Sequence, residues 1–314
     1  PDSTLAEYDV KAVQRFQPMQ VRKAIKNADL LISGGGSLLQ DRTSTRSLMY
    51  YLTVIRMALH YQKPVMLYAN GIGPVSKSKN RRRVQAVVSK ADCITLRDTD
   101  SLQELEQMGV HNDAMTVTAD PVFTLNGISP NAAREILTAA GIPTDRPILA
   151  VSMRQSGKIE QAVPELARFC DEAAKTHTVL FILMQTPADS AVTEEIRSQM
   201  SAPSYVLETP GKPETMMGVI GLCNLVFSMR LHTVIFAAKQ RVPVMGLVYD
   251  PKVASYLDLL NMPAVGTPET FRADDALRAF TDLADHQAEY ATRLDVIARN
   301  LEQAAQENDR LLGL

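Results

Sequence analysis

Short runs of hydrophobic residues alternate with longer stretches of helical periodicity along nearly the whole chain. Most of the short runs are continuously apolar, which is typical of strands covered on both faces in a parallel sheet. The nine predicted strands are residues 30–33, 65–69, 93–96, 115–118, 148–152, 179–184, 205–207, 225–227 and 244–247. The predicted helices between them are residues 18–27, 44–60, 79–90, 100–108, 131–140, 159–175, 190–200, 215–223 and 232–240. This alternation indicates βαβ units and predicts an α/β fold with doubly wound parallel sheets.

A proline-rich segment, residues 120–146, divides the alternation into two halves. Each half has its own strands and helices and is long enough to bury a core. We therefore predict two Rossmann-like domains facing a cleft, an N-terminal one over residues 1–125 and a C-terminal one over residues 126–314. Residues 283–314 have apolar positions at helical spacing and predict a terminal helix able to cross both domains. Because the chain begins at Pro1, just before an amphipathic helix, we expect the natural N-terminus to lie further upstream.

Composition narrows the classes of protein that fit this pattern. The 314 residues are 46% hydrophobic and carry a net charge of −2, so the chain offers no general attraction for nucleic acid. The longest apolar run, residues 179–184, is far shorter than the ~20 residues of a membrane span. The three cysteines are widely separated, which predicts a reducing, cytoplasmic compartment. No two of the five histidines lie within four residues of each other, so no metal site is predicted.

Two glycine loops follow predicted strands. Gly34, Gly35, Gly36 and Ser37 come directly after the first strand and before a helix, where glycine backbone and a helix N-terminus can bind an anion. A tight strand-to-helix turn explains the same residues equally well. The second loop, residues 70–74, follows the next strand, and both are expected at the same edge of the sheet.

Basic residues follow several other predicted strands. Arg97 ends the third strand, although an ion pair with the adjacent Asp98 explains it nearly as well. Arg154 occupies the same kind of position, and Arg230 and His232 lie at a strand-to-helix junction. An arginine fork can bind carboxylate or phosphate, and histidine is suited to proton transfer. Lys252 follows the next strand and is expected alongside.

The basic run at residues 77–83 has two explanations. It contains five basic residues in seven and could attract a phosphorylated or membrane-bound acceptor. A solvated helix face is the commoner explanation for such a run.

Five motifs occur in an order that resembles one known family. They are LISGGGSLLQD (31–41), YANGIGP (68–74), TLRD (95–98), ADP (119–121) and SMRLH (228–232). Together they resemble the polysaccharide pyruvyl transferase family, specifically its CsaB type, which acts on bacterial cell-wall polymers. The similarity extends from about Tyr8 to Lys252.

The resemblance implies a glycosyltransferase-B-like fold, with the acceptor on the N-terminal side and phosphoenolpyruvate on the C-terminal side. It implies transfer of pyruvate from phosphoenolpyruvate to an N-acetylmannosamine-like sugar of a lipid-linked precursor. The product is a 4,6-pyruvate ketal, and phosphate is released. Phosphoenolpyruvate is a co-substrate, so no cofactor is expected. The implied location is the cytoplasm, at the inner face of the membrane with peripheral contact, and the implied role is S-layer anchoring.

The resemblance also implies roles for individual residues. Arg230 and His232 match donor-site positions, and Arg97 and Lys252 match further basic positions that look like donor ligands. Phosphoenolpyruvate has a carboxylate and a phosphate, so Arg97, Arg230 and Lys252 are expected to converge on it. His232 is expected to act as the general acid. Family members begin with a strand and a Gly-Asp-Glu loop that this chain lacks, so the acceptor half is expected to be incomplete.

Two other functions fit the same predicted fold. One is a nucleotide-sugar glycosyltransferase, although no convincing acidic ribose ligand is found near Asp250. The other is a non-catalytic anion-binding protein, which would leave His232 without a chemical role.

Overall fold

The computed structural model describes residues 9–42, 44–156, 158–208 and 212–313. The chain forms two compact units. Unit 1 comprises Pro1–Thr124 together with Leu301–Leu314, and unit 2 comprises Leu125–Asn300. Within the described residues each unit contains one sheet of parallel strands. The prediction of an α/β fold with two parallel sheets is therefore confirmed.

Unit 1 has a four-stranded sheet with its connecting helices on one face. The strands, in spatial order, are β1 (Leu31–Gly34), β2 (Val65–Asn70), β3 (Cys93–Leu96) and β4 (Met115–Val117). The described α-helices before residue 125 are α1 (Pro18–Asn27), α2 (Thr45–His60), α3 (Ser78–Val88) and α4 (Thr99–Gln107). Right-handed crossovers that all run in one direction put α2, α3 and α4 on the same face. Their apolar residues form one core with the strands, including Leu52 of α2 and Leu67 of β2.

Unit 2 has a five-stranded sheet with the spatial order β7-β6-β5-β8-β9. The strands are β5 (Ile148–Ser152), β6 (Thr178–Leu183), β7 (Tyr205–Glu208), β8 (Leu225–Ser228) and β9 (Val244–Gly246). Its described α-helices are α5 (Pro130–Ala139), α6 (Val163–Ala173), α7 (Ser190–Gln199), α8 (Pro213–Ile220), α9 (Leu231–Lys239), α10 (Pro251–Leu260) and α11 (Ala273–Asp285). The last helix, α12 (Gln287–Leu312), begins in unit 2 and continues into unit 1 from Leu301. The chain direction across the sheet reverses between β5 and β8, the position at which open α/β sheets bind ligands.

The doubly wound arrangement is present in unit 2 but not in unit 1 as described. A doubly wound sheet needs strands on both sides of its first strand, so that the order can reverse. In unit 1 the four described strands follow chain order, and β1 is an edge strand. The described part of this sheet is therefore wound in one direction only.

The terminal helix begins later than the sequence predicts. Residues 283–285 end α11, where Leu283 is buried, and α12 starts at Gln287. His286 is the C-cap residue of α11; its backbone N–H donates to the carbonyl oxygen of Asp282, and its ring Nδ1 lies 3.0 Å from the same oxygen. The predicted single helix over residues 283–314 is therefore wrong at its start.

Candidate functional site

The two glycine loops lie side by side at the carboxyl end of the unit 1 sheet. β1 ends at Gly34 and β2 ends at Asn70. Gly71 N donates to Gly36 O at 3.0 Å, and Gly73 N donates to Leu39 O at 2.9 Å. The loops therefore form one hydrogen-bonded surface at this edge of the sheet.

The first glycine loop has an open backbone. Gly35 and Gly36 have φ values of +70° and +63°, which residues other than glycine rarely adopt. A Cβ atom at either residue would have no heavy atom within 4 Å, so a ligand can approach the backbone from that side. The expected helix does not follow directly, because Leu39 pairs with Ile72 and α2 begins only at Thr45. A helix N-terminus therefore adds no charge at this loop.

Arg97 is a buried cation at the end of β3. Its Nη2 donates to Ser37 Oγ at 3.1 Å, its Nε donates to Asp98 at 3.2 Å, and its Nη1 lies 3.5 Å from Asp120. The structure thus brings Arg97 and Ser37 together and balances the guanidinium charge with two carboxylates. Contact between Arg97 and a substrate stays a prediction.

Gly71 makes the position of Arg97 possible. A Cβ atom on Gly71 would lie 2.7 Å from Arg97 Nε and 2.8 Å from Ser37 Oγ. Any larger residue would therefore push the guanidinium away from the first loop. The second glycine loop thus acts as a close support for Arg97, a role that its sequence alone did not reveal.

Asp41 fixes the second loop to the start of α3. Its carboxylate accepts hydrogen bonds from Ser76 N at 2.8 Å, Lys77 N at 3.2 Å and Asn80 Nδ2 at 2.8 Å. Burial raises the pKa of Asp41, but the hydrogen bonds from Ser76, Asn80 and Lys77 outweigh burial and hold that pKa below its ordinary value. A carboxylate at this helix N-terminus also interacts favourably with the helix dipole.

The basic run at residues 77–83 is partly structural. Arg81 Nη1 donates to Glu104 Oε1 and to Val75 O, each at 3.0 Å. Lys79 and Arg82 are exposed to solvent. Only the exposed members of the run are placed to meet an external partner.

In unit 2, basic side chains lie around the reversal point of the sheet, the place between β5 and β8 where the strand order changes direction. Arg154 follows β5, and Arg230 and His232 follow β8. Lys252 follows β9 and the short loop after it. Because β8 lies between β5 and β9, these residues share one edge of the sheet, where the strands have their carboxyl ends.

Arg230 is held by both its main chain and its side chain. It is the N-cap residue of α9, and its backbone N–H donates to Ser228 Oγ at 2.8 Å. Its Nη2 forms an ion pair with Asp189, which has no exposed surface. Asp189 lies 41 residues away in sequence, and sequence reasoning did not single it out.

His232 and the other cations of this edge reach the surface to different degrees. His232 is exposed in the first turn of α9, and Lys252 is half-buried in the first turn of α10. Asp250 caps α10 by accepting from Lys252 N at 3.0 Å. Arg154 is exposed, and its Nη1 donates to Tyr249 OH at 3.2 Å. The guanidinium carbon lies 5.4 Å from the centre of the Tyr249 ring, a cation–π geometry that orients it.

The predicted site residues therefore form two groups. Gly34, Gly35, Gly36, Ser37 and Arg97 lie together in unit 1. Arg230, His232 and Lys252 lie along one edge in unit 2. Convergence of Arg97 with Arg230 and Lys252 on one ligand stays a prediction.

Similar solved structures establish the class of fold. The UDP complex of MnaA from S. aureus is 14% identical with a TM-score of 0.66, and the match covers 98% of this chain and 84% of that one. UDP-GlcNAc 2-epimerase from Neisseria meningitidis is 15% identical with a TM-score of 0.64, covering 99% and 88%. At these identities the likeness shows the fold alone, which is the predicted glycosyltransferase-B-like α/β architecture.

Sequence comparison then identifies the family. The profile of the polysaccharide pyruvyl transferase family matches residues 1–251, so the chain belongs to that family. The amylovoran biosynthesis protein AmsJ of Erwinia amylovora is 21% identical over 322 residues, covering 94% of this chain and 72% of that protein. The chain is therefore a transferase enzyme with a pyruvylation role in polysaccharide biosynthesis.

Within the residues that the structure describes, no helix has the length and apolar character needed to cross a membrane.

Proposed function

We propose that this chain transfers pyruvate from phosphoenolpyruvate to a sugar of a lipid-linked cell-wall polysaccharide precursor. The acceptor is an N-acetylmannosamine-like residue, and the product is a 4,6-pyruvate ketal with release of phosphate. The observation that supports this proposal is the group of basic side chains beside an exposed histidine at the reversal point of the unit 2 sheet. This group lies in or next to the stretch that matches the family profile.

The chemistry of phosphoenolpyruvate suits this edge of unit 2. The molecule has a carboxylate and a phosphate, and arginine forks bind both groups through paired hydrogen bonds. Arg230 is fixed in place, while Arg154 and Lys252 extend from neighbouring strand ends. We propose that Arg230 and Lys252 bind the donor directly and that Arg154 contributes to the same charged surface. Arg97 is proposed as a further donor ligand that also holds Ser37.

Ketal formation requires one proton transfer to carbon and two carbon–oxygen bonds. In the proposed mechanism His232 gives a proton to the methylene carbon while the first sugar hydroxyl oxygen bonds to the adjacent carbon. The proton of that hydroxyl returns to the histidine. The second hydroxyl oxygen then displaces phosphate from the same carbon, and its proton leaves with the phosphate. No cofactor is part of this scheme, because the side chains supply the positive charge.

The acceptor is assigned to unit 1 in this proposal. The open backbone of Gly35 and Gly36, with Gly34 and Ser37 on either side, offers hydrogen-bonding groups to a sugar or to the diphosphate of a lipid carrier. The exposed Lys79 and Arg82 lie in the same unit and would favour an anionic lipid surface. We therefore propose that the enzyme works in the cytoplasm at the inner face of the membrane.

Phosphate release in the presence of a synthetic lipid-linked disaccharide with a terminal N-acetylmannosamine tests the proposal. We expect release only with both substrates, together with a product whose mass has increased by one pyruvate ketal. An acceptor methylated at its 4-hydroxyl is the matched control, because it cannot form the 4,6-ring. Release without any change in the acceptor, or no release at all, would contradict the proposal.

A nucleotide-sugar glycosyltransferase is the second candidate, since one solved neighbour named above is complexed with UDP and the other with UDP-GlcNAc. Calorimetry with UDP and with phosphoenolpyruvate separates the two functions. Binding of phosphoenolpyruvate without any transfer would instead favour an anion-binding protein.

A further inference from the structure

The side chain of Asp189 is fully buried, and its carboxylate forms an ion pair with the guanidinium of Arg230. A buried carboxylate is costly unless a positive charge and hydrogen bonds compensate it. The Arg230 side chain is only 13% exposed, so this ion pair is largely shielded from solvent. The contact is therefore a fixed feature of unit 2 and not a loose surface pair.

The backbone around Asp189 holds the carboxylate in one place. Gln185 N donates to Asp189 Oδ2 at 2.9 Å, and Asp189 N donates to Gln185 O at 2.9 Å. These reciprocal bonds close the loop between β6 and α7. One carboxylate oxygen thus binds the loop, and the other, Oδ1, faces the guanidinium of Arg230.

Buried hydroxyl groups hold the main chain of Arg230 from the opposite side. Ser228 Oγ accepts from Arg230 N and donates to Ser152 O at 3.3 Å. Thr233 Oγ1, in α9, donates to Ser152 Oγ at 3.2 Å. The backbone of Arg230 is therefore held to Ser228 of β8, which in turn bonds to Ser152 of β5, and its side chain is held to the loop after β6.

The guanidinium still has donors for a ligand. Nη2 of Arg230 donates to Asp189, whereas Nη1 of Arg230 has no hydrogen-bond partner among the described residues. Because the guanidinium is planar, fixing one nitrogen also sets the direction of the others. An arginine held in this way can meet a carboxylate or phosphate without a further loss of side-chain freedom.

We propose that Asp189 is a positioning residue that orients Arg230 toward the anionic donor. This inference depends on the proposed function, because the donor is taken to be phosphoenolpyruvate. Asp189 does not touch the donor. It balances part of the Arg230 charge and holds the guanidinium in the direction required for transfer, so its effect reaches the reaction only through Arg230.

Asp189→Asn is the test, because asparagine keeps an oxygen acceptor but loses the negative charge. Positioning errors of about 1 Å can cost ~10²-fold in rate, so we expect kcat to fall by about tenfold to 10²-fold. The KM for phosphoenolpyruvate should change less, since Arg230 keeps its charge. Asp171→Asn is the matched control, because Asp171 also accepts backbone hydrogen bonds, from Ser201 and Ala202, but has no arginine contact in the described structure.

A double-mutant cycle with Arg230→Lys separates positioning from general stability. If Asp189 acts through Arg230, Asp189→Asn should cause little further loss of kcat in the Arg230→Lys background. Thermal unfolding of each variant confirms that it is folded. Equal kcat for wild type and Asp189→Asn, or fully additive losses in the cycle, would overturn the inference while leaving the proposed function intact. Failure of the wild-type chain to bind phosphoenolpyruvate in calorimetry would overturn both.

Discussion

His232 is the residue on which the proposed chemistry depends most directly. Replacing it with Ala removes the proton donor, so turnover should fall by about 10²–10⁴-fold with little change in affinity for phosphoenolpyruvate. His232→Gln keeps a hydrogen-bond donor but has no transferable proton, and it should be nearly as inactive. Phosphate release and calorimetry measure the two quantities. A Gln variant that retains most of the turnover would make His232 an orienting residue.

Arg230 has a structural and a binding role that two substitutions can separate. Arg230→Ala removes a charge-assisted contact worth ~1.5–3 kcal/mol, so affinity for phosphoenolpyruvate should weaken about tenfold or more. It also leaves Asp189 buried without its cation, which commonly costs about 3–5 kcal/mol of stability. Arg230→Lys keeps a cation and should lose affinity with a smaller loss of stability. Calorimetry and urea unfolding of both variants provide the comparison, and unchanged affinity in both would contradict the donor assignment.

The sequence alone could identify candidate site residues, because each follows an apolar run that is readily recognised as a strand. These residues are Arg97, Arg230, His232 and Lys252. The sequence also indicated the adjacent Asp98 as an ion-pair partner of Arg97, which the structure confirms, but it could not indicate the acidic partners that are distant in sequence. Arg97 reaches Asp120 across 23 residues, and Arg230 reaches Asp189 across 41. Such pairings depend on which strands become neighbours in the sheet, and apolar periodicity does not encode the strand order.

Among the elements, the paired glycine loops offer a clear steric prediction. Gly71→Ala would put a methyl group 2.7 Å from Arg97 Nε, and we expect a loss of about 1–3 kcal/mol in the free energy of unfolding. Gly34→Ala is the matched control, since its nearest heavy atom would lie at an ordinary 3.7 Å. Urea unfolding at neutral pH measures both. Equal stability of the two variants would show that Arg97 can move away without cost.

The junction between the second loop and α3 should respond to pH through Asp41. Its pKa is lower in the folded chain than in the unfolded chain, where it is ~3.9. The stability it contributes is therefore present above pH ~3.9 and is lost as the pH falls through the lower folded value. We expect the gap in unfolding free energy between wild type and Asp41→Asn to shrink in acid. Urea unfolding from neutral to acidic pH measures that gap, with the exposed Asp29→Asn as a control; a gap independent of pH would contradict this account.

Most elements could be predicted because their apolar runs are unambiguous. All nine predicted strands are present, with ends within one residue of the prediction. Two helices, α10 and α11, were missed although both have recognisable signals. Asp250 followed by Pro251 is a helix start, and α11 has Ala276, Phe280 and Leu283 at helical spacing. The break at His286 had no such signal, because no glycine or proline lies at or beside this position in the sequence.

At the scale of the whole molecule, the end of α12 completes unit 1. Asn308 is fully buried, accepts from Thr118 Oγ1 at 2.8 Å and donates to Ala119 O at 3.1 Å. Beside it Tyr68 OH donates to Asp309, and burial together with this carboxylate raises the pKa of Tyr68 above its usual range. The last turns of the helix are thus attached near the carboxyl ends of β2 and β4.

Asn308→Ala should therefore destabilise unit 1, because the buried carbonyl of Ala119 loses its Asn308 donor and Thr118 Oγ1 keeps only Leu96 O as an acceptor. We expect a loss of about 1–3 kcal/mol in the free energy of unfolding. Asn300→Ala, on an exposed position of the same helix, should be nearly neutral. Urea unfolding compares them, and equal effects would indicate that the last turns contribute little.

The division of the chain has a consequence for its biosynthesis. Unit 1 is assembled from residues before 125 and residues after 300, whereas unit 2 is continuous. A ribosome that adds about 5–20 residues per second delivers all of unit 2 before the last turns of α12 emerge. Every residue of unit 2 is therefore synthesised before unit 1 can gain the last turns of α12. A premature stop codon near residue 300 would leave the residues of unit 2 complete, but it would remove the last turns of α12 from unit 1.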